Sequence, residues 1–282
     1  MKIAVQGWFY DQPYTGIGQH IIGLIAELKK SNELTIITRQ NLPVKKWLLH
    51  PGLQKWYWER IQVPSFLKNK KFDLEYFPYP CHLPKKCKNK RAMTVHDLIQ
   101  IKDSRYGRGI LKKYYIKKSF DSLKDMDTVF TVSNCVREEL KKFSGKIKNV
   151  KVLPNSVPAV ENRILKSKKD PNLLVYLGGY DIRKNVPILI KAFDKLRSKY
   201  PNYKLLLIGE PHHKSSYYPE LPKVKNVIKA GKISDERILK VDPDVLLLTA
   251  WKVEESPGAM GLPPPLRMLK AVREGHVVSL EG

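Results

Sequence analysis

An apolar run, two glycines, an Arg-Lys pair and an amphipathic stretch follow one another in LLVYLGGYDIRKNVPILIKAF, Leu173 to Phe193. That order confines the segment to a strand, a tight turn and a helix. Leu173 to Leu177 have the continuous apolar character of a buried parallel strand. Leu189, Phe193 and Leu196 recur at helical spacing, and Asn185 stands where a helix N-cap belongs. Gly178 and Gly179 let the backbone turn between the two. Arg183 and Lys184 fall in the loop that feeds the helix, where unpaired N–H groups and the positive end of the macrodipole favour an anion. Two cations at such a place suit a diphosphate better than a single carboxylate. A basic surface loop is the competing reading in a chain this rich in lysine.

The same alternation runs along the whole chain. Lys2 to Val5 read as a first strand. Ile17, Ile21, Leu24, Ile25 and Leu28 then repeat on one helix face, and TIITR follows as the next strand. MTVHDL, DTVFTV with a following helix, and NVKVLP continue the pattern to about Pro154–Pro158. Val160 to Pro171 are polar, charged and proline-bounded, as a link between domains would be. Beyond it come LLVYLG, the helix from Val186, KLLLIG, NVIKAG, a short helix from Asp235, and DVLLLTA. We therefore expect an α/β protein of two doubly wound parallel sheets: a first domain over 1–158, a linker over 159–171 and a second domain over 172–282. Ligands of such sheets bind outside the carboxyl ends of the strands, which would here line a cleft between the domains.

Charge bears on partners. Lysine and arginine number 52 against 27 acidic residues, a formal charge of +25. Anionic ligands and anionic membrane surfaces are favoured by that balance, although the cations are spread as a solvated surface would spread them. Nucleic acid ranks last, because charge alone speaks for it and no reader motif accompanies it. Three cysteines fit a reducing compartment better than a disulfide scaffold. The chain opens directly on a strand without signal-peptide character, and no apolar run approaches the ~20 residues of a membrane span. A cytoplasmic protein follows, with the inner membrane face as a resting place.

Five further features bear on candidate chemistry. The loop GWFYDQPYTGIGQHI places Gly16 and Gly18 at a helix entry, again offering backbone N–H groups to an anion, with a plain tight turn as the alternative. It fails as a dinucleotide fingerprint, since Ile21 stands where a third glycine belongs. His96 and Asp97 end the strand at Met93–Val95, and their side chains leave on opposite faces. Asp125 and Asp127, like Asp242 and Asp244, have a D-x-D spacing, yet both pairs precede strands and read as turn residues. Cys81, His82, Cys87 and His96 lack standard zinc spacing, so no metal is assigned. Along Arg108 to Asp127, Ile110, Leu111, Tyr114, Tyr115 and Phe120 would form an apolar stripe beside four lysines, either as an interfacial helix or packed on the sheet.

Strand, glycine turn, R-K-N and helix at 173–193, together with TVHDL, VSNCVREEL, VLPNSV and WYWERIQVP, resemble the group 1 retaining glycosyltransferases of the GT-B fold (glycosyltransferase family four). The resemblance implies two Rossmann-like domains facing a cleft. It further implies transfer of a hexose from a nucleotide diphosphate sugar to a saccharide or lipid-linked hydroxyl, with retention and without a cofactor or metal. Gly16, Gly18, Gly178, Gly179, Arg183, Lys184 and Asn185 would hold the donor diphosphate, Arg183 and Lys184 would stabilise it as it departs, and His96 would meet the sugar. In VSNCVREEL, Ser133 or Asn134 would cap a helix. The aromatics of WYWERIQVP would be core or acceptor contacts.

The resemblance weakens after about Leu239. The family carries two glutamates seven residues apart around G-L-P-P. Here WKVEESPGAMGLPPPLRML keeps Gly261 to Pro264, but Gly258 and Arg267 occupy the glutamate positions, with Glu254 and Glu255 nearby. GHVVS, Gly275 to Ser279, is similar to the family's next strand. We accordingly expect an incomplete second domain, from a frame change, a truncation or a degraded copy. A noncatalytic binder of anionic ligands or membrane surface is the alternative function.

Overall fold

The computed structural model describes residues 1–12, 15–45, 47–85, 88–103, 109–155, 170–180, 184–210, 220–231 and 233, and the backbone of 245–250 and 277–281. The chain divides into two compact units, Met1–Ser156 and Val157–Gly282.

The first unit contains strands β1 (Lys2–Gln6), β2 (Glu33–Ile37), β3 (Leu74–Phe77), β4 (Arg91–Val95), β5 (Thr128–Thr131) and β6 (Val150–Val152). They form one sheet in the order β2-β1-β3-β4-β5-β6, parallel throughout. Parallel neighbours require crossover connections. Helix α1 (Gly16–Leu28) supplies the first of them, between β1 and β2. Alternation within the strands builds a core on each face. Ile3, Val5, Tyr76 and Ala92 pack with Ile21 and Ile25 of α1. Ala4, Phe77, Met93 and Val129 pack with Trp58, Leu98 and Phe120 on the other face.

That second face is covered by residues 51–67, which are α2 (Pro51–Tyr57), a π-helical turn (Trp58–Gln62) and α3 (Val63–Leu67). Wider winding at the π turn sends both Trp58 and Glu59 inward. Trp58 is core, and its Nε1 donates to the Leu42 carbonyl at 2.7 Å. The buried Glu59 carboxylate accepts from the hydroxyls of Tyr79 and Tyr115, each at 2.6 Å, and pairs with Lys55.

Two further helices follow, α4 (Ile99–Lys102) and α5 (Ile110–Asp121). The stripe expected along α5 is split. Phe120 is buried and Tyr115 turns its hydroxyl to Glu59, while Ile110, Leu111 and Tyr114 are exposed. The physical reason is helical geometry: residues 115, 116, 119 and 120 share the face that meets the sheet, and 110, 111 and 114 lie off it. Asp127 ties the starts of β4 and β5 together, its Oδ2 accepting from the Arg91 amide at 2.8 Å. Helix α6 (Asn134–Phe143) is capped by Ser133, whose Oγ accepts from the Val136 amide.

In the second unit, β7 (Leu173–Leu177), β8 (Lys204–Ile208), β9 (Val227–Gly231), β10 (Val245–Ala250) and β11 (Val277–Glu281) form a parallel sheet ordered β11-β10-β7-β8-β9. Helix α7 (Val186–Lys199) buries Val186, Leu189, Ile190 and Phe193. Most of the linker expected at 159–171, Asp242 and Asp244, the short helix from Asp235, and the segment holding Glu254, Glu255, Gly258 and Arg267 lie outside the described residues. Among the described residues, no helix is long and apolar enough to cross a membrane.

Candidate functional site

Strand order reverses beside β1 in the first sheet and beside β7 in the second. Such a reversal opens a crevice at the carboxyl ends of the strands, because the connections on its two sides leave in opposite directions. The glycine turns singled out in the sequence follow β1 and β7.

After β1 the chain enters α1 through Thr15, whose Oγ1 accepts from the Gly18 amide at 3.0 Å and donates to the Gln12 carbonyl at 2.9 Å. The two glycines differ in kind. A Cβ on Gly18 would overlap the Gln12 carbonyl oxygen, whereas one on Gly16 would meet no described atom within 4 Å. Gly18 is therefore fixed by the fold, and Gly16 leaves open space at a helix start. Gly18→Ala is expected to lower stability by about 2 kcal/mol or more through overpacking, and Gly16→Ala to leave it unchanged or slightly raised. Urea unfolding of the two variants checks this; equal losses would remove the distinction.

His96 follows β4 on the α1 side of the sheet. Its Nε2 lies 2.9 Å from the Pro78 carbonyl oxygen, an acceptor only, so Nε2 carries the proton and the neutral ring presents its lone pair at Nδ1. Burial lowers its pKa, against the raising effect of that carbonyl. Edge-on to it, with centroids 4.8 Å apart, stands the buried His20 of α1. His20 Nδ1 is 3.0 Å from Asn155 Oδ1 and Nε2 is 2.9 Å from the Tyr76 hydroxyl, which meets Thr94 Oγ1 at 2.5 Å. Burial, then the proximity of His96, lower its pKa to about 4, with Asn155 opposing. Both rings are uncharged at neutral pH, and His96 is equipped to accept a hydrogen bond from a hydroxyl.

Sequence reasoning missed His20 and its partners. The available signal was a histidine among the apolar positions Ile17, Ile21 and Leu24 of one helix. Asp97 is exposed and turns back, its Oδ1 accepting from the Ile99 amide.

The β7 turn is held by backbone. The Gly178 amide donates to the Ile208 carbonyl at 2.9 Å, Tyr180 N to Glu210 O at 3.3 Å, and the Tyr176 hydroxyl to the Gly179 carbonyl at 3.0 Å. Gly209, which follows β8 with φ 131°, permits this approach, since a Cβ there would overlap the Gly178 carbonyl oxygen. It too went unread in the sequence. Lys184 and Asn185 lead into α7, and Arg183 lies outside the described residues. Asn185 occupies the N-cap position, but its side chain caps nothing: it sits in the left-handed region at φ 44°, and its carbonyl accepts from the Ile188 amide. Asparagine tolerates that conformation better than most residues.

Comparison with known proteins bears on this second unit. Residues 159–241, under a third of the chain, match the family model described as Glycosyl transferases group 1. No curated protein matches the chain. Among solved structures, UDP-N-acetylglucosamine 2-epimerase from Rickettsia bellii is 13% identical with a TM-score of 0.54, over 93% of this chain and 78% of its own. A structure described as trehalose-6-phosphate from E. coli bound with UDP-2-fluoro glucose is 11% identical with a TM-score of 0.50, over 98% and 91%. S. aureus TarM is 12% identical with a TM-score of 0.48, over 76% of this chain, which spans only 47% of the TarM chain. The protein thus has the GT-B fold of two Rossmann-like parallel sheets, and the segment around its β7 turn carries the pattern of the group 1 glycosyltransferases.

Proposed function

We propose that the protein transfers a hexose from a nucleotide diphosphate sugar to a hydroxyl of a saccharide or lipid-linked acceptor, with retention of configuration. The observation that carries this reading is the Gly178-Gly179 turn with Lys184, standing at the reversal point of the second sheet inside the segment matched by the group 1 model. The E. coli neighbour, bound with UDP-2-fluoro glucose, lends support through its fold.

The chemistry follows from charge. The anomeric C–O bond to the diphosphate breaks, a new bond to the acceptor oxygen forms on the same face, and the acceptor's proton passes to the departing phosphate. Negative charge grows on that phosphate, so preorganised cations stabilise the transition state more than the ground state. Arg183 and Lys184 supply them, with the start of α7 behind. His96, neutral and with Nδ1 as acceptor, takes a hydrogen bond from a sugar hydroxyl and fixes the ring.

Release of nucleoside diphosphate from a panel of sugar nucleotides tests the reaction, and calorimetry with UDP tests the site. Arg183→Ala and Lys184→Ala are each expected to weaken UDP binding by about 1.5 to 3 kcal/mol, the scale of charge-assisted hydrogen bonds. His96→Ala is expected to lower turnover more than UDP affinity. Unchanged UDP affinity in both cation variants would return Arg183 and Lys184 to a surface-loop role.

A further inference from the structure

The residues that α5 leaves in solvent do not stand alone. Ile110 and Leu111 are 87% and 76% exposed, and Tyr114 is exposed beside them. Before and within α2, Trp47 and Leu49 are 67% and 90% exposed, with Leu53 exposed in the next turn. Side-chain contacts link α2 to α5 through His82. Trp47 lies 5.8 Å from Tyr57, Trp56 Nε1 donates to His82 Nδ1 at 3.1 Å, and His82 lies 6.4 Å from Tyr114. Lys55 ties the helices together beneath, donating to the Tyr115 hydroxyl at 2.7 Å. Six exposed large apolar residues thus lie on two segments bridged through His82, more than the single scattered exposures a soluble surface ordinarily shows.

Charge in the sequence segments that carry these residues is of one sign. Residues 40–58, 76–90 and 104–120 contain three, four and six lysines or arginines, and no aspartate or glutamate. The carboxylates that directly follow two of these segments are engaged: Glu59 is buried against Lys55, and Asp121 pairs with Lys124. Apolar side chains beside the exposed Lys112, Lys113 and Lys117 of α5, with tryptophan and tyrosine among them, match the boundary of an anionic bilayer, where acyl chains take the former and headgroup phosphates the latter. Two copies of the face pressed together would instead oppose like charges.

We propose that this composite face of the first unit, and not a stripe along α5 alone, docks the protein on an anionic phospholipid surface. The proposal does not depend on the transfer reaction. It locates the contact on α5 and on the segment that enters α2, so substitutions in either should release it.

Cosedimentation of the full chain tests this, with vesicles of phosphatidylcholine alone and of phosphatidylcholine with an equal part of phosphatidylglycerol. Binding is expected on the mixed vesicles, weak on the neutral ones, and falling as salt is raised, because screening removes the lysine contribution. Leu49→Ser with Leu111→Ser is expected to lower partitioning about tenfold or more. Lys113→Glu with Lys117→Glu should do so by at least about fivefold per lysine. All four side chains are exposed, so thermal unfolding should stay unchanged in both variants. Absence of binding, or binding that ignores lipid charge or is equal in every variant, would overturn the proposal. A dimer detected without vesicles and broken by the leucine pair, with no vesicle binding, would assign the face to a second copy instead.

Discussion

Acidification from pH 7 to pH 4 is expected to remove about 3 kcal/mol of stability from the first unit through His20 alone. The ring is buried, Tyr76 and Asn155 hold it, and its folded pKa is about 4 against 6.5 when exposed. Between those values the unfolded chain binds the proton that the folded one refuses. Stability is therefore full above pH 6.5, falls as the pH drops toward 4, and levels off below it. His96 and His82, also lowered by burial, act in the same direction. Lowered carboxylates such as Asp121 and Glu138 add their losses at more acid pH. The test is thus a difference: urea unfolding of the wild type and of His20→Gln at several pH values from 7 to 4. The variant should start less stable at pH 7 and fall less steeply, by nearly one proton's slope. Parallel curves would mean that His20 reaches water in the folded state.

This histidine marks the limit of what periodicity discloses. The strands at 2–6, 91–95, 128–131, 173–177 and 204–208 are legible because buried parallel strands must be apolar on both faces, and their runs say so. β3 is not legible in the same way, since LEYF carries a glutamate inside it. Nor is the helix over 51–67, where a proline, a π turn and four aromatics obscure the 3.6-residue repeat. For the candidate site, the glycine turn after β7 and His96 are readable from position along the chain. His20, Gly209 and Asn155 are not, because their roles arise from residues 135 apart or from a second strand's exit. Local pattern identifies where a turn must be, while the contacts that stiffen it are set by tertiary packing. The basic aromatic face is a similar case. Its α5 half is visible as a run of lysines and tyrosines, but which of those side chains turn outward depends on Glu59, more than fifty residues upstream.

Glu75→Ala is expected to destabilise the first unit by about 3 to 5 kcal/mol, the scale for breaking one side of a buried ion pair. Glu75 and Arg91 face one another in register across β3 and β4, with side chains only 3% and 5% exposed. Arg91 Nε donates to Glu75 Oε2 at 3.1 Å and its terminal nitrogen to the Pro84 carbonyl at 2.6 Å, while Glu75 Oε1 accepts from Asn89 at 2.9 Å. Removing the carboxylate strands a guanidinium that cannot shed its proton, so the charge has no route to neutrality short of dragging the strand toward water. In a unit of this size the loss corresponds to a fall of about 10 °C in Tm. Replacing both partners by apolar residues, Glu75→Met with Arg91→Leu, removes the charge problem, taking a donor from the Pro84 carbonyl and leaving Asn89 Nδ2 its bond to the Lys70 carbonyl. That double variant should recover at least about 2 kcal/mol over Glu75→Ala. Calorimetric melting of the three proteins decides the matter. A single variant within about 0.5 kcal/mol of the wild type would show that Arg91 has access to solvent, and a double variant weaker than the single would place the stabilisation in the shape of the pair instead of its charge.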